Sequence, residues 1–414
     1  MSERIQAPRG TYDVLPEQAA ARAALEERAR EVLEAAGYER VETPIFEHTE
    51  LFARGVGEST DIVQKEMYTF EDGGGRSLTL RPEGTASVCR AYVEHGMHKL
   101  AQPVKLWYLG PYFRYERAQA GRFRQFWQIG AEAIGSEDPA VDAEAILLLT
   151  TLLGDLGARG VHVRVSSLGK LESRQHYRVA LQGHLRTHED RLSQEVRDRI
   201  ELNPLRAFDA DHPGTQEVMR TAPLLRDFLD PDDAEHFNAV CALLDAGDVV
   251  YDVDPTLVRG LDYYQRTVFE IHSSELGAQS ALGGGGRYDG LVEQVGGPAT
   301  PGMGWAAGIE RILMAAATPA HAAPPVDLLV AAPVGPVQFR LVADARRAGL
   351  QAQLDLAARS HKGVLKHANR LGARYVAWVD SDGRQAQLRD MEAGEQAAVA
   401  VDEVVRDVLR GPGL

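Results

Sequence analysis

Cysteine is scarce here. The two in 414 residues, Cys89 and Cys241, form no disulfide framework and match no metal-ligand spacing, which suits a reducing compartment and makes the cytoplasm the expected location. Long apolar runs are missing as well. Nothing approaches the roughly 18 residues of a membrane span, and the opening MSERIQAPRG carries no apolar signal segment, so no membrane association is expected. Positive charge is in deficit, with 45 Lys and Arg against 60 Asp and Glu and a net charge of −15. A uniformly basic nucleic-acid-binding surface is thereby excluded. No internal repeat, low-complexity tail, GxGxxG or GK[ST] spacing occurs, which rejects Rossmann and P-loop phosphate sites.

What is present begins with an ordinary soluble composition, 44% hydrophobic and 25% charged, over a length that implies two or three domains. The charge is uneven. Residues 326–414 hold 12 Lys/Arg and 11 Asp/Glu, a balance of +1, which leaves −16 for residues 1–325. Within 340–374 eight basic residues face only Asp344 and Asp355, a local +6. An acidic body with a basic distal segment can still steer a polyanion onto one face.

The richest stretch is Leu106–Glu132, LWYLGPYFRYERAQAGRFRQFWQIGAE. Both halves alternate as half-buried strands do, and Ala118–Gly121 reads as the loop of a long antiparallel hairpin. The polar positions carry Arg114, Glu116, Arg122, Arg124, Gln128 and Glu132. So much charge among aromatics is costly unless the groups meet ligands or one another.

Elsewhere Glu17–Ala36 has helical spacing ending at Gly37, and Tyr38–Pro44 reads as a strand. Met67–Phe70 and Ser77–Leu80 form a hairpin, after which Arg81-Pro82-Glu83-Gly84-Thr85 opens a helix. Glu83 can neutralise an ammonium and Thr85 can accept its hydrogen bond, or the same residues simply cap the helix. Asp142–Leu156 reads as a helix, Val161–Ser166 as a strand, and about 170–247 as a helical insertion. Leu257–Tyr264, LVRGLDYY, leads into a strand at Thr267–Ile271. ALGGGGRYDGL reads as a flexible glycine turn before a helix, able to bring backbone close to a small ligand. Pro301–Leu313 is a strand followed by a helix, Ala315–Pro325 an Ala/Pro linker, and 326–414 alternates strand and helix as a small domain with a largely parallel sheet.

FRYE, a loop and RFRQF resemble motif 2 of the class II aminoacyl-tRNA synthetases, and helix–strand–Pro44 and Pro301–Leu313 resemble motifs 1 and 3. RPEGT is similar to the histidyl-tRNA synthetase segment that binds the substrate's α-amino group, and LVRGLDYY and GGGGRYDGL are similar to the two motifs that set that family apart. The resemblance spans nearly the whole chain. It implies an α+β class II core over 1–320, an antiparallel sheet flanked by helices and carrying the helical insertion. A linker ending at 321–325 and an anticodon-binding α/β domain at 326–414 would follow.

The implied reaction joins L-histidine to tRNA(His) through histidyl-adenylate, with ATP as substrate, Mg²⁺ assisting and a homodimer as the working form. No protein-held metal is expected. By the same resemblance Arg114 and Arg259 are catalytic, and Arg114, Glu116, Arg122 and Arg311 hold ATP. Glu83, Thr85, Gln128, Glu132, Tyr263, Tyr264 and Tyr288 would bind histidine, and Gln119 would touch the tRNA acceptor end. The alternative is the non-catalytic relative that regulates ATP phosphoribosyltransferase. That relative usually lacks the C-terminal domain and degrades the substrate motifs.

Overall fold

Trp107 and Tyr108 are both buried, although neighbours on a strand point to opposite faces. Their strand therefore runs through the middle of the molecule, and the half-buried hairpin expected from alternation is buried on both sides. The computed structural model describes residues 4–57, 60–119, 121–316, 326–331, 333–357 and 359–411. The chain divides into two units, Met1–Pro319 and Ala320–Leu414.

In the first unit α1 (Pro16–Ala35) ends where Gly37 adopts φ 81°. The strand expected over Tyr38–Pro44 contracts to β1 (Glu39–Arg40), because both residues are exposed at a sheet edge and Pro44 has no N–H to extend the ladder. β2 (Phe46–His48), β3 (Tyr68–Glu71) and β4 (Ser77–Leu80) form a small antiparallel sheet in the order β2-β4-β3, with α2 (Thr49–Val56) between β2 and β3. α3 (Thr85–Glu94) follows, then β5 (Val104–Phe113) and β6 (Gln125–Ile134). The hairpin turn between these strands runs from Arg114 to Arg124, wider than the Ala118–Gly121 loop expected.

α4 (Pro139–Asp155) and β7 (Val161–Ser167) precede the helical insertion, which contains α5 (Leu171–Thr187), α6 (Gln194–Arg199), α7 (Pro213–Met219) and α8 (Pro231–Ala246). β8 (Tyr251–Val253), β9 (Gln265–Ser273), β10 (Ala281–Arg287), α9 (Leu291–Gln294), β11 (Gly302–Gly308) and α10 (Ile309–Ala315) complete the unit.

The large sheet has the order β1-β5-β6-β11-β10-β9-β7-β8. Its six central strands are antiparallel, and β1 and β8 add parallel edges. On one face Trp107, Ile129 and Trp305 pack with Leu25 of α1 and Leu149 of α4. On the other, Tyr108, Tyr112 and Tyr288 join Tyr177 and Leu181 of the insertion. Asp233, fully buried at the start of α8, accepts from Arg266 Nε at 3.0 Å and Lys170 N at 2.7 Å, tying the insertion to the sheet.

In the second unit, β12 (Leu328–Val330), α11 (Pro336–Arg347), β13 (Ala352–Leu354), α12 (His361–Leu371) and β14 (Tyr375–Val379) alternate as expected. β15 (Gln385–Asp390), β16 (Gln396–Ala400) and α13 (Val404–Arg410) then follow. The sheet order is β13-β12-β14-β15-β16, with β15 and β16 antiparallel, so the sheet is mixed rather than largely parallel. The tight connections around β15 and β16 leave no chain for a crossover helix. Of the Ala/Pro linker, Ala315 closes α10, and residues 317–325 lie outside the described residues.

Gly283–Gly286 do not form a turn. They are the middle of β10, between β9 and β11. A Cβ on Gly285 would sit 2.0 Å from Gly304 O and 2.7 Å from Trp305 Cα, both backbone atoms that cannot swing aside. The glycines thus serve close strand packing. Gly285→Ala should cost about 1–3 kcal/mol or prevent folding, read as a lower urea midpoint. Gly73→Ala, where an added Cβ meets nothing within 4 Å, should leave the midpoint unchanged.

Candidate active site

Arg114, just past the end of β5, and Phe126 and Gln128 of β6 line a cavity of about 220 Å³ on the sheet. Its walls are the start of α3, the hairpin loop, residues 259–264, β10 and the junction of β11 with α10. Ten of the residues singled out from sequence line it: Glu83, Thr85, Arg114, Glu116, Arg122, Gln128, Arg259, Tyr263, Tyr264 and Arg311.

One end is cationic. Arg114 Nε donates to Pro82 O at 2.9 Å, and its guanidinium lies 5.5 Å from the Phe126 ring centroid. Arg311 Nε donates to Gly121 O at 2.9 Å and Nη1 to Ala281 O at 2.7 Å, so its charge is fixed by neutral carbonyls. Burial, then the neighbouring Arg122 and Arg114, push the Arg311 guanidinium pKa down. Such crowding is relieved by an anion. Glu116 meets Arg122 Nε at 3.3 Å and Arg114 only at 4.0 Å. Arg259 stacks over Tyr264 at 5.5 Å and pairs with Glu270 of β9. Burial alone would raise the Glu270 pKa, but Arg259 and His272 hold it at about 2.

The other end is lined by carboxylates and phenols. Glu83 accepts from the N–H groups of Thr85 at 2.8 Å and Ala86 at 3.0 Å, so it caps α3 as well as facing the cavity. Gln128 Oε1 is buried without a hydrogen-bond partner among the described residues. Glu132 and Tyr288 do not line the cavity. They lie beneath it, where Glu132 Oε1 accepts from Thr85 Oγ1 at 2.8 Å and Tyr108 Oη at 3.0 Å. A Cβ on Gly304 would fall 1.7 Å from Glu132 Oε2, so the motif-3 strand must be glycine there for Glu132 to fit. Gln119 sits apart, in the hairpin loop, bridged to Arg122 through backbone hydrogen bonds of 3.2 and 2.9 Å.

The histidyl-tRNA synthetase family model matches residues 10–312. The chain belongs to the histidyl-tRNA synthetase family. Curated relatives named histidine–tRNA ligase include one from Desulforamulus reducens, 48% identical over 96% of this chain and 97% of its own. One from Streptomyces avermitilis is 48% identical over 97% and 98%. Among solved structures, the apo histidyl-tRNA synthetase of S. aureus superposes with a TM-score of 0.80 at 34% identity, covering 98% of this chain and all of that one. A Bacillus halodurans protein titled ATP phosphoribosyltransferase regulatory subunit/histidyl-tRNA synthetase has a TM-score of 0.66 at 21% identity, which shows shared fold alone. Full-length identity to the ligases leaves the regulatory alternative the less supported.

Two carboxylates of this histidyl-tRNA synthetase core escaped sequence reasoning. Glu270 holds Arg259, and Glu310 accepts from Tyr12 Oη and Arg22 Nη2, each at 2.7 Å, and from Trp127 N at 3.1 Å. Glu310 thereby ties α1 and the segment before it to motifs 2 and 3. Glu270 alternates with buried apolar residues on β9, a signal that could have singled it out; for Glu310, beside Arg311 on a helix, no local signal exists.

Glu132 is strongly perturbed by its burial. Burial raises its pKa from the ordinary 4.5 to about 8, against the hydroxyls around it, Tyr288 and the hydrogen-bonded Thr85 and Tyr108. The folded state therefore holds a proton that the unfolded chain releases between pH 4.5 and 8. That stabilising contribution is complete below the lower value and lost as pH rises through the upper one. Glu132→Gln removes this dependence. Its thermal midpoint should exceed the parent's above pH 8 by on the order of 1 kcal/mol or more in stability, and calorimetry across pH 6–9 checks it.

Proposed function

We propose that this chain attaches L-histidine to tRNA(His) with ATP through a histidyl-adenylate intermediate. The observation that carries this reading is one cavity that gathers the guanidinium groups of Arg114, Arg122, Arg259 and Arg311 with Glu83, Gln128 and the phenols of Tyr263 and Tyr264. A carboxylate oxygen of histidine attacks the α-phosphorus of ATP, the bond to pyrophosphate breaks, and the terminal ribose hydroxyl of the tRNA then displaces AMP. No side chain needs to bond covalently, so positioning and charge neutralisation do the work.

Arg114 and Arg259 are placed on the α-phosphate as charge develops there. Arg122 and Arg311 take the outer phosphates, Arg311 being held by carbonyls and Arg122 by Glu116 at the rim of the same cavity. Glu83, Thr85 and Gln128 orient the α-amino and carboxylate groups of histidine, the unpartnered Gln128 oxygen being an acceptor for the ammonium. Glu132, Tyr263, Tyr264 and Tyr288 form the imidazole end, where an imidazole N–H would meet the buried Glu132. Unpaired polar groups would penalise a wrong side chain strongly.

No group of three or more His, Cys, Asp or Glu among the described residues could hold a metal on its own. Glu116 Oε2, buried and without a hydrogen bond, fits a Mg²⁺ carried mainly by phosphates and water. When bound, that ion would neutralise phosphate charge. Gln119 is assigned to the acceptor end of the tRNA and residues 326–414 to the anticodon. A homodimer acting in the cytoplasm completes the proposal. Among the described residues no helix is long and apolar enough to cross a membrane.

Arg259→Ala should lower histidine-dependent ATP–pyrophosphate exchange by about 10²–10³, or 3–4 kcal/mol, while His272 keeps Glu270 partnered and the fold intact. Near-normal exchange would remove Arg259 from the site. Glu132→Gln should raise the KM for histidine and leave that for ATP little changed.

Deleting residues 326–414 should reduce tRNA charging far more than adenylate formation, since every cavity residue precedes the boundary between the two units. Equal loss of both activities in a soluble truncation of unchanged oligomeric state would contradict that division.

A further inference from the structure

Arg287 ends β10 immediately before Tyr288 and is completely buried. Its donors are spent on a surrounding shell. Nη1 reaches Ser136 O at 2.9 Å and Asp289 Oδ1 at 3.3 Å, Nη2 reaches Asp138 O at 3.3 Å, and Nε and Nη2 grip the two oxygens of Asp142. Asp142, on the first turn of α4, is also fully buried and meets His236 Nε2 of α8 at 2.8 Å. None of these groups lines the catalytic cavity.

Burying an ion pair of this kind is weak evidence of stabilisation, because well-packed apolar residues often do as well or better. Its surroundings indicate another role. Asp289 Oδ1 accepts from Gly302 N at 3.1 Å, and Tyr288 N donates to Gly302 O at 2.8 Å. Both neighbours of Tyr288 are thus pinned, and so is its own backbone. The ring lies so close to Gly302 that a Cβ there would be 2.2 Å from it. Two positions along the same strand β11 a Cβ on Gly304 would meet Glu132 Oε2, and this oxygen and the Tyr288 hydroxyl are both buried without a hydrogen-bond partner among the described residues.

We propose that Arg287, Asp142 and Asp289 are positioning residues for histidine recognition. They fix the Tyr288 hydroxyl against Glu132, and the contact of Asp142 with His236 ties the helical insertion to that setting. The inference rests on the reading that Tyr288 and Glu132 form the imidazole end.

The test is a charge-free double variant, Asp142→Leu with Arg287→Met, of similar volume and expected to remain folded. Its KM for histidine should rise about 10- to 100-fold, with the KM for ATP within about twofold of the parent. The same pair of changes in a Tyr288→Phe background should add nothing further, a non-additivity that general destabilisation would not produce. If the double variant does not fold, Asp289→Ala, at a side chain 28% exposed, takes its place with the same expectation.

An unchanged histidine KM in the folded variant, or equal rises for histidine and ATP, would overturn the proposal. If Tyr288→Phe raises the histidine KM while the network variants do not, the positioning role alone fails. If Tyr288→Phe itself has no effect, the assignment of the imidazole end fails with it.

Discussion

Glu132 stands near the end of β6 with no exposure, and the groups that meet it are hydroxyls rather than a cation. A carboxylate so placed is costly as an anion, which is why its pKa climbs to about 8. Much of the surrounding fold is arranged to accept that cost. Gly304 leaves the volume it occupies, Tyr108 and Thr85 bring donors from two other elements, and Tyr288 approaches from the end of β10. Stability given up at one buried group is a common signature of a binding site.

The opposite end of the cavity carries the complementary strain. Burial, then Arg122 and Arg114, push down the pKa of Arg311, and Arg259 is held by Glu270. Backbone carbonyls anchor the Arg311 cation, and the Glu270 carboxylate fixes Arg259 at the cavity wall. On the proposed reading a polyphosphate would relieve repulsion at one end while an imidazole would satisfy an acceptor at the other. Gln128 and Glu132 both come from β6, two pleat repeats apart on one face of the strand.

Glycine plays a structural part that composition alone misrepresents. Four in succession suggest a flexible turn, yet β10 is among the most confined strands of the sheet. Each missing side chain lets a neighbouring backbone or ring approach, and Gly284 also leaves room for the guanidinium of Arg259, 2.9 Å from where its Cβ would be. Turn and tightly packed strand demand the same residue for different reasons.

Local pattern by itself determined the helix α1, the hairpins β3–β4 and β5–β6, the helical insertion and the motifs from which the family could be recognised. These depend on periodicity, caps and turn residues within a few positions of each other. Ten of the candidate site residues came together in the cavity because they lie on short motifs. Tertiary structure alone decided that both faces of the hairpin are buried, that Gly283–Gly286 form a strand and that the second sheet is mixed. It also decided that Glu132 and Tyr288 lie beneath the cavity, that Glu310 lines it while holding Tyr12 and Arg22, that Glu270 holds Arg259, and that Asp142 and Arg287 pair in the interior. Those roles arise from contacts between residues up to about 300 positions apart, and no local propensity encodes a partner at that range.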